Sequence, residues 1–128
     1  TGLQAALGIA QLRRLPELIA RRRVIAQRYD NLARECGLSG SPACPGDRER
    51  IDYRYVLRTD RLEEIISAGR AAGIAYRRPV FKPLHRYLGL PGYPQTEAAF
   101  DHALSLPIYP SLSEVELSKI IDHLKPLL

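Results

Sequence analysis

Residues 53–73 have the sequence YRYVLRTDRLEEIISAGRAAG, in which a strand pattern passes directly into a helix pattern. The first six residues alternate aromatic and β-branched with polar side chains, which predicts a strand over 53–58. Asp60 and Glu63 then have the spacing of a capping box. One face of the following helix is formed by Leu62, Ile65, Ile66 and Gly69. Gly73 ends that helix, so the stretch predicts one strand–helix unit of an α/β domain.

Two further strand–helix pairs follow this unit. We predict strands over 76–81 and 106–109, separated by a short helix over 96–103. The last helix follows a second capping box, formed by Ser113 and Glu116, and it has a single apolar stripe. The sequence therefore predicts an α/β fold in which helices cover a small sheet.

The residues before the α/β part predict a long helical segment with two different halves. Residues 3–15 are apolar almost all round, which is typical of a helix that is buried on several sides. We therefore expect this half to pack on a partner that the chain does not supply. Pro16 predicts a kink or the start of a second helix, which is amphipathic over 17–35 and has Arg21 and Arg28 on its solvent side.

The chain has 128 residues, enough for one domain, and we predict a single domain over 1–128. Within it, residues 1–36 form a helical connection and residues 51–128 form the α/β part. The chain starts at Thr1 and contains no methionine, which implies processing, residues missing from its start, or excision from a longer protein. No apolar stretch approaches the roughly 20 residues that cross a bilayer, and no signal peptide is apparent, so we predict no membrane partner.

The net charge is +5, and the basic excess consists mostly of arginine. Such an excess raises the possibility of a nucleic-acid partner. The arginines are, however, interleaved with acidic residues, and the one run, at 21–23, points in three directions along a helix. We therefore predict no nucleic-acid partner. Cys36 and Cys44 fit no zinc pattern, and we expect free thiols of a cytoplasmic protein rather than a disulfide.

The segment from Arg77 to His85, RRPVFKPLH, contains the densest group of charged, aromatic and titratable side chains in the chain. It places two arginines, Lys82, an aromatic ring and a histidine after a predicted strand, where loops commonly build binding sites. A site for a polar or anionic ligand is one interpretation. The other interpretation is that the cations are solvated and His85 is an ordinary surface residue, and composition alone favours this second one.

Three motifs, in order, resemble the DegT/DnrJ/EryC1/StrS family of sugar aminotransferases. They are the Gln-Ala-Ala start and Arg-rich helix within 1–29, GIAYRRPVFKPLH at 73–85, and LSLPIYPSLSEVELSKIIDHL at 104–124. The resemblance covers essentially the whole chain. It implies the small C-terminal domain of a fold-type I enzyme that uses pyridoxal phosphate (PLP), with a small, mostly antiparallel sheet. The parent enzyme would transfer an amino group, commonly from glutamate, to a keto sugar carried on a nucleotide.

The resemblance also implies the residues of a site. His85 matches the histidine of an aromatic-x-Pro-x-His motif that lines the sugar-nucleotide site in the family. Arg78 and Phe81 match neighbouring positions, so these three residues are predicted to bind substrate. Phe81 stands where the family often has tyrosine, which removes one hydrogen bond and puts the sugar preference in doubt.

The partners follow from the same resemblance. The Schiff-base lysine and the other PLP-binding groups of the family belong to an upstream domain. We therefore expect the PLP of the parent enzyme not to be held by this chain, no catalytic residue within it, and no activity of the chain alone. The upstream domain and a homodimer partner are the predicted protein contacts.

Two other functions stay open at this point. A non-catalytic binding, regulatory or dimerisation module derived from the same domain would need no cofactor. An anion or nucleic-acid binder that uses the Arg-rich helix would lose affinity steeply as salt is added.

Overall fold

A computed structural model describes residues 1–42 and 44–128 of the chain. Within these ranges, a long helix precedes a two-stranded sheet and several short helices. The elements are α1 (Gly2–Glu35), β1 (Tyr55–Arg58), α2 (Leu62–Ala71), α3 (Leu84–Tyr87), α4 (Pro94–His102), β2 (Ala103–Leu106), α5 (Glu114–Leu124) and a 3-10 turn, Lys125–Leu127. Among the described helices, none combines the length and the apolar character that crossing a membrane requires.

The sheet is an antiparallel pair in which Tyr55 of β1 lies opposite Leu106 of β2. Successive side chains of a strand point to opposite faces. Tyr55 and Leu57 are buried on one face together with Leu104 and Leu106, while Ser105 belongs to the other face and is only partly buried. Alternation therefore gives the sheet one core face and one open face.

The strand predicted over 76–81 is wrong, because that segment contributes only a single antiparallel bridge between Arg77 and Ser105. Pro79 follows within two residues and has no N–H to continue a ladder. The strand predicted over 106–109 is displaced, since β2 begins at Ala103, directly after α4, and ends at Leu106. Pro107 ends it for the same reason. Strand β1 is two residues shorter at its start than the sequence predicted.

Helix α1 is continuous from Gly2 to Glu35 and includes Pro16, so the predicted division into two helical segments is wrong. A proline inside a helix leaves the carbonyl four residues earlier without its usual donor. Here that carbonyl belongs to Leu12, and residues 1–17 are all exposed. Water can satisfy the freed carbonyl, which explains why the helix tolerates Pro16 at this point.

The second half of α1 packs on the core face of the sheet. The ring of Tyr29 is fully buried, lies 5.1 Å from the ring of Tyr55, and its hydroxyl donates to the carbonyl oxygen of Pro107 at 2.7 Å. Burial raises the pKa of the Tyr29 hydroxyl above its ordinary value. The core residues of α1 are Ile25, Ala26, Tyr29, Leu32 and Ala33, and those that meet them from α2 and α5 are Leu62, Ile65, Leu117, Ile120 and Leu124.

Polar contacts attach α1 to the rest of the chain. Arg21 donates to Glu114 at 2.6 Å and to the carbonyl oxygen of Leu112, and Arg28 lies 3.4 Å from the same Glu114 carboxylate. Arg28 is exposed, as predicted for the solvent side, whereas Arg21 is half-buried. Both arginines bridge α1 to the start of α5, and they lower the pKa of Glu114.

The two predicted capping boxes have different outcomes. At α5, the hydroxyl of Ser113 accepts from the backbone N–H of Glu116, and the Glu116 side chain accepts from the backbone N–H of Ser113, as predicted. At α2, the predicted capping box of Asp60 and Glu63 does not form. The N-cap residue is Arg61, and its side chain makes no capping hydrogen bond. Cys36 and Cys44 are free thiols, as the sequence predicts.

Gly69 is the closest point between α2 and the segment that returns to the sheet. A Cβ atom added there would overlap Cδ2 of Tyr76 and lie 2.9 Å from the carbonyl oxygen of Ile74. The Tyr76 ring is buried and its hydroxyl donates to the carbonyl of Ile120, so it has little room to move. Glycine at this position therefore permits the contact.

We predict that Gly69→Ala lowers the free energy of unfolding by about 1–3 kcal/mol, the usual effect of forcing extra volume into a packed core. Gly8→Ala is the matched control, since nothing lies within 4 Å of a Cβ there and alanine favours an exposed helix. Urea unfolding of both variants measures the difference. Equal stability of the Gly69→Ala and unmodified chains would contradict the packing described for Tyr76.

Candidate functional site

A cleft of about 700 Å³ opens on the uncovered face of the sheet. Its walls come from the residues just before β1, the segment 75–81 after α2, Phe100 of α4, and the end of β2. Arg54, Arg77 and Arg78 are its charged lining residues, and no acidic residue lines it within the described part of the chain. This arrangement suits a polar or anionic ligand more than an apolar one.

Arg78, a predicted site residue, lines this cleft, but other groups of the chain bind its guanidinium. One nitrogen donates to the carbonyl oxygen of Phe100 at 2.6 Å and another to the Glu63 carboxylate at 2.5 Å. The guanidinium also stacks over the Phe100 ring, 4.5 Å from its centroid. Arg78 therefore joins α2 and α4 to the cleft wall.

Phe81 also lies in the cleft, and its side chain is 91% exposed. An aromatic ring left this open at the edge of a basic cleft is available to a ligand or to another polypeptide. Lys82 follows it, and its ammonium lies 4.7 Å from the ring centroid of Tyr87.

His85 is not among the residues that line the cleft. It lies in α3, its Nε2 is 2.6 Å from a carboxylate oxygen of Glu97, and its ring stacks on Tyr93 with centroids 5.0 Å apart. Only 10% of its side chain is exposed. The structure therefore brings Arg78 and Phe81 together and places His85 in a separate cluster against α4.

Glu97 is the centre of this second cluster. It accepts from Arg86 through both carboxylate oxygens as well as lying beside His85. Arg86, and to a smaller extent His85, lower the pKa of the Glu97 carboxyl from 4.5 to about 2. Because the carboxylate is ionised at neutral pH, it fixes the orientation of the imidazole.

Phe100 connects the cleft with the His85 cluster. Arg78 stacks on this ring, and Arg86 does so as well, at 4.9 Å. Helix α4 thus contacts two of the predicted site residues: Glu97 lies beside His85, and Phe100 lies beneath Arg78. Sequence reasoning missed both α4 residues. It also missed Arg54, which lies directly before β1 and lines the cleft.

The three lysines of this chain lie in different settings. A Schiff-base lysine needs a lowered pKa, which burial or a neighbouring cation provides. Lys125 instead pairs with Glu35 at 2.7 Å, which raises its pKa, and Lys82 lies against the Tyr87 ring. Lys119 lies on α5 and is exposed. Among the described residues, no group of three potential metal-ligating side chains occurs either.

Comparison with known proteins places this geometry in a family. The profile of the DegT/DnrJ/EryC1/StrS aminotransferase family matches residues 1–125. A curated relative, the dTDP-4-dehydro-2,3,6-trideoxy-D-glucose 4-aminotransferase of Saccharopolyspora spinosa, is 35% identical over 94% of this chain and 33% of its own length. The chain therefore spans about a third of the length of this relative.

Solved structures agree with the sequence match. The aminotransferase TlmJ from Streptoalloteichus hindustanus superimposes with a TM-score of 0.88 and 30% identity, over 95% of this chain and 35% of TlmJ. The PLP form of Spr1654 from Streptococcus pneumoniae gives 0.86 and 28%, over 99% of this chain and 35% of that protein. These neighbours confirm the predicted fold, in which helices accompany a small antiparallel sheet of the fold-type I aminotransferases. The match along nearly the whole chain, in both sequence and structure, shows that the chain belongs to the DegT/DnrJ/EryC1/StrS aminotransferase family.

Proposed function

We propose that this chain is the C-terminal, substrate-binding part of a cytoplasmic PLP-dependent aminotransferase that transfers an amino group, from glutamate, to a nucleotide-linked keto sugar. The observation that carries the proposal is the match of nearly the whole chain to about a third of a sugar aminotransferase. The named substrate of that relative is a dTDP-linked sugar. The basic cleft beside β1 and β2 suits such an anionic substrate.

The proposal assigns the cofactor to an upstream domain. The settings of the three lysines support this division, because none of them is fully buried and Lys125 pairs with the acidic Glu35. The residues of this chain would therefore bind and orient the sugar nucleotide, while the upstream domain holds PLP. No catalytic residue is assigned within the chain.

The first half of α1 supports an upstream partner. Its apolar side chains are strongly exposed: Leu3 by 81%, Leu7 by 62%, Ile9 by 51% and Leu12 by 67%. A continuous apolar surface of this kind is rare on a protein that acts alone and marks a contact with another polypeptide. We assign this surface to the upstream domain and to the homodimer partner.

The three predicted residues would have different tasks, and His85 would act from outside the cleft. The exposed ring of Phe81 would contact the ligand directly. Arg78, which is bound to Glu63 and Phe100, would hold the cleft wall in place. His85 would offer its Nδ1, for which the described part of the chain supplies no hydrogen-bond partner, while Glu97 fixes its Nε2 edge.

We predict that His85→Ala, introduced into the longer protein that contains this chain, raises the KM for the sugar nucleotide about tenfold, the effect of losing one hydrogen bond to a charged or polar ligand. The visible absorbance of bound PLP would not change, because His85 is not assigned to the cofactor. Steady-state kinetics and the absorbance spectrum measure the two effects. An unchanged KM would remove His85 from the site, and loss of PLP would contradict the division of labour.

We also predict that the carboxyl of Glu97 titrates with a pKa of about 2, well below 4.5, in ¹³C NMR spectra of the chain. Arg86→Gln would raise this pKa more than His85→Ala does, because the hydrogen bond from Arg86 is the larger cause of the shift. Since the folded pKa is the lower one, the pairing stabilises the fold above pH 4.5, and this contribution is lost as the pH falls from 4.5 to about 2. A Glu97 titration near 4.5 would show that the His85 cluster does not form.

A further inference from the structure

The three consecutive arginines of α1 have different partners. Arg21 donates to Glu114, and Arg23 pairs with Glu49. Arg22 lies between them, is half-buried, and forms no ion pair with the described residues. Because a guanidinium keeps its charge at physiological pH, a half-buried one needs other acceptors. Those of Arg22 are backbone carbonyl groups.

One nitrogen of the Arg22 guanidinium holds two backbone segments that are far apart in the chain. Its Nη1 donates to the carbonyl oxygen of Tyr53 at 2.8 Å and to that of Ile108 at 3.0 Å. The carbonyl oxygen of Asp52 lies 3.4 Å from the same nitrogen. Nη1 carries two N–H groups, so it can serve both close acceptors at once. The charge of the donor strengthens each of these hydrogen bonds.

The two close carbonyl groups lie just beyond the end of the ladder between β1 and β2. The ladder ends with Tyr55 opposite Leu106, and the same register continued by two residues would place Tyr53 opposite Ile108. Pro107 lies between these positions on the second strand and has no N–H to donate. The guanidinium from α1 therefore replaces a cross-strand contact where the ladder has stopped.

The turn before Tyr53 is held in an unusual conformation. Asp52 has a φ of 47°, in the left-handed region that residues other than glycine seldom adopt. Its carboxylate is buried and accepts from Nε of Arg50 at 2.6 Å. Backbone of this kind persists only where its surroundings determine it, and it is concentrated at functional sites. Arg50 on the side chain and Arg22 on the carbonyl group are those surroundings here, and the chain then bends at 53–54.

Both segments that Arg22 holds belong to the cleft. Tyr53 and Ile108 line it, whereas Arg22 does not. The Tyr53 ring is 69% exposed at the cleft edge, so its place is set mainly by its backbone. Arg22 comes from α1, whose second half packs on the other face of the sheet. It can therefore affect a ligand in the cleft only through the two segments that it holds.

We propose that Arg22 is a positioning residue that sets the separation of Tyr53 and Ile108 and so shapes this end of the cleft. The contacts of Arg22 with these two residues are called the Arg22 clamp below. The effect of the clamp on a sugar nucleotide rests on the function proposed above, but the clamp itself does not.

Arg23 offers a matched control for this proposal. It lies in the same turn of α1 and also donates to a backbone carbonyl group, that of Arg50, at 3.3 Å. Its second partner is the exposed carboxylate of Glu49. Neither of these partners lines the cleft. Replacing Arg23 therefore removes the same charge and a similar contact without touching the cleft walls.

The first test is steady-state kinetics of Arg22→Gln and Arg23→Gln in the longer protein that contains this chain. Glutamine is neutral and too short to reach both carbonyl groups, so we expect Arg22→Gln to raise the KM for the sugar nucleotide about tenfold. The visible absorbance of PLP would not change. Arg23→Gln should change the KM by at most about twofold, because exposed ion pairs contribute little. Arg22→Lys keeps the charge and should give an intermediate KM.

These kinetics also separate positioning from a general loss of stability. A protein that is only destabilised loses active molecules, which lowers the apparent kcat and leaves the KM unchanged. Equal KM values for the Arg22→Gln and Arg23→Gln proteins would overturn the proposal. If Arg22→Gln does not fold, Arg22→Lys takes its place in the comparison with Arg23→Gln.

A double variant tests whether Arg22 acts through Tyr53. Tyr53→Ala removes the exposed ring and leaves the core in place. In this background Arg22→Gln should raise the KM by a clearly smaller factor, because residues that act through one another are not additive. The same factor in both backgrounds would contradict the route through Tyr53.

Crystal structures of the ligand-free longer protein separate the clamp from the proposed function. We expect the carbonyl groups of Tyr53 and Ile108 to change their separation in Arg22→Gln and to keep it in Arg23→Gln. If they respond in this way but the protein transfers no amino group to sugar nucleotides, the clamp stands and the function fails. If transfer occurs and neither the carbonyl groups nor the KM respond to Arg22→Gln, the function stands and the clamp fails.

Discussion

The pairing of Tyr55 with Leu106 is the constraint on which the rest of the molecule depends. It places Tyr55 and Leu57 against the second half of α1 and leaves the opposite face of the sheet open. A shift of one residue would turn the whole apolar set to the other face, so the burial of these rings and leucines specifies the register strongly. The cleft and its arginines occupy the open face as a direct consequence.

The two halves of helix α1 lie in different environments: the first half is exposed and the second half packs in the core. At 34 residues the helix is about 50 Å long, far longer than the small sheet it covers. Its second half contributes Tyr29 to the core and is attached by Arg21 and Arg28 to α5. Its first half extends away with exposed leucines and isoleucine. This division fits a helix that joins a substrate-binding part to a larger upstream domain.

Local patterns predicted the elements whose causes are local. Alternation identified β1, the Ser113 capping box fixed the start of α5, and the apolar first half of α1 was recognised as unusual. Three of the errors arose at prolines. Pro79 and Pro107 limit the strands because they lack a donor, and Pro16 is tolerated because solvent surrounds it, which depends on exposure and not on the local sequence.

The site was harder to predict than the fold, because its decisive contacts join distant residues. The motif predicted Arg78 and Phe81 at one site. Nothing in it distinguishes Arg78, which donates to Glu63, from Arg77, whose side chain makes no polar contact with the described residues. His85 and Glu97 lie twelve positions apart, with prolines and glycines between them, so their contact follows from the packing of α4 and has no local signal.

The central claim is the division of labour between a substrate-binding chain and a cofactor-binding upstream domain. The most direct measurement is the visible absorbance of the purified chain after incubation with PLP and dialysis. The account predicts no retained absorbance, because neither Lys82, Lys119 nor Lys125 has a setting that favours a Schiff base. A retained chromophore that borohydride reduces onto one of these lysines would contradict it.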